Sequence, residues 1–256
     1  MPSSASNKRH FIIVGVLVVI TTFALGFLLN GVLPLPEQGV TQADTVDNLF
    51  RVHMWLIAFL SALVGVFMVY SFVVFRRARR EDEGDHFEGN TTLEVLWTAI
   101  PLVLVVVFAF IGVRTLSDIT ASTPNDLAIQ VTGQQWSWVF GYPNGTTNAE
   151  LVVPVDQPLL LEMTSNDVIH SFWVPEWRMK QDLVPGMTTH INFTPKAIGE
   201  FTLACNQACG LSHTSMYAKV RVVTAAEYTA WLDEQAVVQG IQPADQAALD
   251  VQTAAN

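Results

Sequence analysis

Three long runs without a charged residue dominate the first half of the chain. They are FIIVGVLVVITTFALGFLL at residues 11–29, MWLIAFLSALVGVFMVYSFVVF at 54–75 and LWTAIPLVLVVVFAFIGV at 96–113. Each approaches the ~20 apolar residues needed to cross about 30 Å of hydrocarbon, so the pattern predicts transmembrane helices. The second run is too long for a buried core helix and leads into RRARR at residues 76–80. Basic residues stay on the cytoplasmic side. With that cluster and Lys8 and Arg9 inside, the path is in, out, in, out, and the chain after Arg114 lies outside. Pro101 is tolerated near the start of a membrane helix. A basic start before an apolar run also describes a signal peptide. Residues 1–30 therefore read as a signal peptide or an extra transmembrane helix; the length of the run, and the lack of a small-x-small cleavage motif after it, favour the helix.

From residue 117 the pattern changes to short β-prone stretches: LAIQVTGQQWSWVFGY, AELVVP, PLLLEMTS, HSFWVP, THINFTP, GEFTLAC and AKVRVV. Asn, Gly and Pro punctuate them, which predicts an antiparallel sandwich or barrel. One helix follows. TAAEYTAWLDEQ starts at Thr224 with Glu227 three residues on, a capping-box pattern. The expected organisation is a transmembrane hairpin over 31–116, with helices at about 54–75 and 94–114, a β-domain over 117–223, and a C-terminal helix and tail over 224–256.

Composition agrees with a membrane anchor: 50% of residues are hydrophobic and 14% charged, with mean hydropathy +0.35. The net charge of −10 argues against a nucleic-acid partner and for a cationic one. Residues 117–256 hold 14 Asp and Glu against 5 Lys and Arg, so nearly all the acidity is exported. Such a surface would steer a basic partner, with an association rate that falls steeply with salt.

The candidate chemistry sits in CNQACGLSHTSM, residues 205–216, which holds both cysteines of the chain. Cys205 and Cys209 are spaced C-x3-C, and His213 and Met216 follow; His170 lies upstream, at the start of a predicted strand, where a sandwich could bring it to the same end. Three chemistries compete. A disulfide across so short a loop gains little chain entropy and leaves His213 and Met216 idle. Zinc suits thiolate and imidazole but not thioether. Copper suits all three donors. Two thiolates can bridge two copper ions, each ended by one histidine, with Met216 and the Gln207 carbonyl as weak ligands.

CNQACGLSHTSM resembles the C-x-E-x-C-G-x-x-H-x-x-M motif of subunit II of the haem–copper cytochrome c oxidases, with their dinuclear CuA centre. GNTTLEVLWTAIP at 89–101 resembles the start of that family's second helix, and GQQWSWVFGYPNG at 133–145 its aromatic stretch. The resemblance covers roughly residues 52–232. It implies a membrane-anchored α + β chain, with transmembrane helices followed by an exported cupredoxin-like Greek-key β-sandwich, in a bacterial plasma membrane. It implies copper ligands at His170, Cys205, Gln207 (by its carbonyl), Cys209, His213 and Met216. It implies that electrons from cytochrome c or a similar small carrier arrive at Trp136 and pass to haem in subunit I, where oxygen is reduced and protons are transported. Plain strand packing is the alternative for Trp136 and Trp138. Ser137 stands where many relatives have an aromatic residue, which alters the docking patch. Glu94 matches a glutamate at the mouth of a proton channel; the alternative is an acid favoured at a helix start. Gln207 replaces the commoner glutamate whose side chain binds magnesium. An amide is a weaker magnesium ligand, so that ion is not carried over with the copper, although Asp182 remains as a partner for it. His10, His53, His86 and His190 have no soft donor nearby in sequence and read as ordinary surface or packing residues.

Overall fold

The computed structural model describes residues 4–76 and 88–241, so most of the basic cluster at 76–80, His86 and the chain from residue 242 lie outside the described residues. Three helices come first: α1 (Ser4–Val32), α2 (Thr41–Val74) and α3 (Thr91–Ile119). All three are long and apolar enough to cross a membrane. Their apolar side chains stay largely uncovered, and α3 has no buried residue, as suits elements whose solvent is lipid. α1 and α2 meet along Val14, Val18 and Ala62, flanked by Leu63, Val66 and Tyr70.

All three helices begin before the apolar runs that predict them, and for α3 and α2 the structure shows why. At α3 the Asn90 side chain accepts the Leu93 N–H (3.1 Å) and caps the helix. At α2 the reason is tertiary. Val40 is fully buried and bridges Pro195, and the Asp44 carboxylate pairs with Lys196 Nζ at 2.7 Å. The described residues form two compact units: a helical one containing Asp47–Gly112, and a β-rich one containing Pro36–Val46 and the chain from Val113 onward. The segment Pro36–Val46, placed in the hairpin on hydropathy, thus packs with the β-rich unit.

Ten strands build that unit: β1 (Leu127–Gln134), β2 (Ser137–Gly141), β3 (Thr147–Asn148), β4 (Leu151–Pro154), β5 (Leu159–Ser165), β6 (His170–Val174), β7 (Met179–Leu183), β8 (Thr189–Phe193), β9 (Gly199–Cys205) and β10 (Tyr217–Val223). They form two five-stranded sheets, ordered β3-β2-β1-β5-β8 and β4-β10-β9-β6-β7. The pairing is not purely antiparallel. β1 runs parallel to β5, and β10 to β4. After β3 the chain crosses to the other sheet for β4 and returns as β5 beside β1, a winding that hairpins alone cannot produce.

The core lies between the sheets. Ile129, Val131, Leu159, Leu161 and Met163 from one sheet share a cluster with Phe172, Val174, Leu203, Val220 and Val222 from the other. Alternation on β5 is strict, every second side chain being buried. β4 breaks the alternation, with all four residues buried. A continuous apolar run is what a strand covered on both faces requires. Its cover is α4 (Ala225–Val238), which contacts β4. α4 opens with the expected capping box, Thr224 and Glu227 each bonding the other's backbone. After the membrane helices in sequence, the chain is a cupredoxin-like β-sandwich.

Candidate metal centre

Strand register gathers the soft donors. β6 starts at His170 and β9 stops at Cys205, in adjacent strands where Phe172 faces Cys205. The loop from Cys205 turns back through a short 3-10 turn at His213–Ser215 and rejoins the sheet at Tyr217, opposite Ala204. The loop's thiols and thioether therefore close over the end of the sandwich, against the histidine.

Cys205 Sγ lies 3.7 Å from Cys209 Sγ, well beyond a sulfur–sulfur bond. Each thiol has its own imidazole: His170 Nδ1 is 3.9 Å from Cys205 Sγ, and His213 Nδ1 is 3.6 Å from Cys209 Sγ. Each also has one further donor. Gln207 O is 3.4 Å from Cys205 Sγ, and Met216 Sδ is 3.8 Å from Cys209 Sγ. The ligating atoms of His170, Cys205 and Cys209 all fall within 4.8 Å of one another. His170 is fully buried, and Cys209 and Met216 almost so. Burial, and then the neighbouring Cys205 thiol, push the Cys209 thiol up to about 11. Without a metal it keeps its proton, and a metal must displace that proton to bind the thiolate. Two free thiols, two imidazoles, a thioether and a carbonyl at these spacings fit soft metal ions, and copper above zinc because the thioether is included.

The histidine is oriented from behind. Its Nε2 meets Asp167 Oδ1 at 2.8 Å, which turns Nδ1 toward the thiols. Burial alone would raise the Asp167 carboxyl. Hydrogen bonds from Gln135 N, the His170 ring and Val168 N outweigh that and hold it below the ordinary carboxylate range. Gly133 on β1 makes room for the ring, since a Cβ there would stand 3.1 Å from His170 Cδ2. Trp138 is buried and packs edge-on against His170 with centroids 6.2 Å apart, so it is a packing residue.

Trp136 is placed otherwise. It is 38% exposed, and its Nε1 donates to the Cys209 carbonyl at 3.3 Å. Gln135 Nε2 donates to the same oxygen at 2.8 Å. The metal loop approaches closely here through Gly210, at φ +120, where a Cβ would lie 2.9 Å from Gln135 Nε2. Asp182 accepts from Ser171 Oγ at 2.7 Å and pairs with Lys180 at 3.2 Å.

The structure thus brings together His170, Cys205, Gln207, Cys209, His213 and Met216, with Trp136 bonded to their loop. Glu94 stands outside this group, exposed in the first turn of α3. His10 bonds Tyr70 Oη at 2.7 Å, and His53 bonds its own helix at Leu49 O. Asp167, Gln135 and Gly133 support the site and were not singled out from sequence. Two of them lie in the GQQW stretch and the third sits three residues before His170, but nothing local marks an acid as a partner of that ring.

Comparison with known proteins agrees with this layout. Residues 145–223 match the model of the cytochrome c oxidase subunit II periplasmic domain, and residues 29–115 that of the subunit II transmembrane domain. Cytochrome c oxidase subunit 2 of Synechocystis is 30% identical, over 84% of this chain and 79% of its own length. That of Thermostichus vulcanus is 31% identical, over 85% and 82%. The solved periplasmic domain of subunit II from Bradyrhizobium japonicum is 27% identical over 48% of this chain and all of that one, with a TM-score of 0.44. The helices accordingly anchor the chain in the membrane, and the β-domain is its periplasmic part. By sequence along most of its length, then, this chain belongs to the cytochrome c oxidase subunit II family.

Proposed function

We propose that this chain is the electron-accepting subunit of a terminal oxidase. It takes electrons from cytochrome c or a similar small carrier on the periplasmic side. It delivers them to haem in subunit I, for reduction of oxygen to water coupled to proton transport. The observation that carries the reading is the pairing of donors: two unjoined thiols 3.7 Å apart, each with its own imidazole. His170, Cys205, the Gln207 carbonyl, Cys209, His213 and Met216 would hold a dinuclear CuA centre. When bound, such a copper pair supplies a one-electron store whose charge is shared between two ions, which keeps rearrangement on reduction small.

The chain's own residues do the rest. Burial of His170, Cys205, Cys209 and Met216 limits water at four of the six donors. Asp167 fixes the His170 ring, and Gln135 and Trp136 fix the Cys209 carbonyl. Trp136 joins the exposed surface to the metal loop through one hydrogen bond, which supports a role in receiving electrons. Glu94, at the start of α3, is proposed as the mouth of a proton channel; Glu94→Ala should slow turnover while the copper absorption stays normal, and unchanged turnover would remove that role. Magnesium is not part of the proposal, because Gln207 has no carboxylate to offer it. Purification of the full chain from detergent-solubilised membranes tests the whole reading. A haem-bearing chain should co-purify and its haem should become reduced on mixing with reduced cytochrome c. A preparation without haem would contradict it.

A further inference from the structure

The periplasmic part is acidic, yet its metal-bearing end is nearly uncharged. Four loops build that end, residues 133–137, 165–170, 184–188 and 205–217, and together they contain one carboxylate, Asp167, and no Lys or Arg. Both oxygens of Asp167 are engaged. Oδ1 accepts from Val168 N at 2.6 Å and meets His170 Nε2 at 2.8 Å, and Oδ2 accepts from Gln135 N at 2.7 Å. The acids on the strands nearest that end are paired: Asp182, next to the last residue of β7, meets Lys180 at 3.2 Å, and Glu200 on β9 meets Lys219 at 2.6 Å. Glu200 stands five residues before Cys205 on β9, roughly 17 Å away along the strand.

Between uncharged polar residues such as Ser137, Asn206 and Thr214, these loops expose large apolar side chains. Leu211 is 92% exposed, Ile169 40%, Trp136 38% and Val168 37%. They share one surface because the loops are tied together. Trp136 bonds the Cys209 carbonyl, Gln135 N bonds Asp167, and a Cβ on Gly210 would lie 3.3 Å from the Trp136 ring. Leu211 directly follows Gly210, the residue of this loop that lies against the Trp136 ring.

We propose that this surface docks a small electron carrier whose redox edge is ringed by uncharged, apolar residues, and that their association owes little to charge. The proposal rests on the chain being an electron-accepting subunit and names the chemistry of its partner. A lysine-ringed carrier needs a matching ring of free carboxylates, and here the single carboxylate is already committed. An apolar side chain left almost wholly in water beside a redox centre points to a contact that covers it. The patch is small, which matches the short-lived redox encounters that bury less than about 1,200 Å². This differs from the steep salt dependence that the overall acidity predicts.

The test uses the full chain with its co-purifying subunits in detergent, mixed rapidly with two reduced probes. One is a strongly basic, lysine-ringed cytochrome c. The other is an azurin-type cupredoxin with an uncharged apolar face over its copper. For the cupredoxin, the second-order rate constant should change less than about twofold between about 10 and 300 mM salt. Leu211→Glu and Leu211→Lys should each lower it about tenfold, with copper content and spectrum unchanged, because a charge of either sign spoils an apolar contact. A steep fall with salt, or a Leu211→Glu protein that gains rate with the basic cytochrome and loses none with the cupredoxin, would overturn the proposal. So would loss of the haem-bearing chain from either variant, which would make the patch a subunit contact. A wild-type preparation that carries no copper and accepts electrons from neither probe would instead overturn the functional reading, and this proposal with it.

Discussion

The two ends of the β-domain are built on opposite principles. Where β6 starts and β9 stops, the metal-binding donors are soft and largely buried, and their loop is held by bonds to backbone atoms such as the Cys209 carbonyl. Toward the other end, charges pair in water, as Glu200 does with Lys219 at 2.6 Å, and α4 is opened by the Thr224–Glu227 box. Exposed ion pairs contribute about 0–1 kcal/mol each, so that end tolerates change. At the metal end a substitution should alter function far more than stability. The core between the sheets serves both ends.

The comparison is broken most completely by Cys209→Ser. One of the two paired thiols is lost, and the two-metal signature proposed for them should vanish while circular dichroism still shows a folded β-domain; a retained signature would mean the thiols are not both ligands. Leu161→Ala strikes the shared core instead. It should cost about 3 kcal/mol, seen as a lower unfolding temperature of the full chain in detergent, with metal loss and unfolding occurring together. If the metal end melted separately, the two ends would not share a core. Gly210→Ala sharpens the contrast. A Cβ at φ +120 would meet Gln135 Nε2 and the Trp136 ring, with strain of about 1–3 kcal/mol. Electron uptake should slow while the copper spectrum persists, and unchanged uptake would show that Trp136 need not stay on Cys209.

The smallest effect belongs to the far end. Hydrogen bonds from the Thr224 backbone and then its hydroxyl hold the Glu227 carboxyl below its ordinary value. A depressed carboxylate stabilises the fold in full above its unfolded value of about 4.3 and loses that contribution as pH falls through its lower folded value. Unfolding temperature should therefore drop slightly more steeply below about pH 4 in the wild type than in Glu227→Gln. Parallel curves would remove the carboxylate from the account.

The soft donors at 205–216 and the capping box are legible in sequence because both are local: their spacing is their geometry. Membrane helices are legible because lipid imposes length and composition. His170 lies 35 residues from Cys205 and joins the group only through strand order, which the family resemblance supplies and periodicity does not. Asp167 and Gln135 are invisible for the same reason. A polar residue in a loop carries no mark of the distant backbone atom it will bond. The parallel pairings of β1 and β10 were hidden because alternation tells which face of a strand is buried, not which neighbour it has. Val40 and Asp44 precede an apolar run, so hydropathy assigned them to the membrane unit when their partners are on the β-rich one.

One measurement bears most directly on the paired-donor centre: copper per chain, together with the electron paramagnetic resonance spectrum of the oxidised, copper-loaded protein. Two coppers per chain sharing a single unpaired electron is the predicted result. One copper with an ordinary mononuclear spectrum, or no copper and a Cys205–Cys209 disulfide, would contradict it.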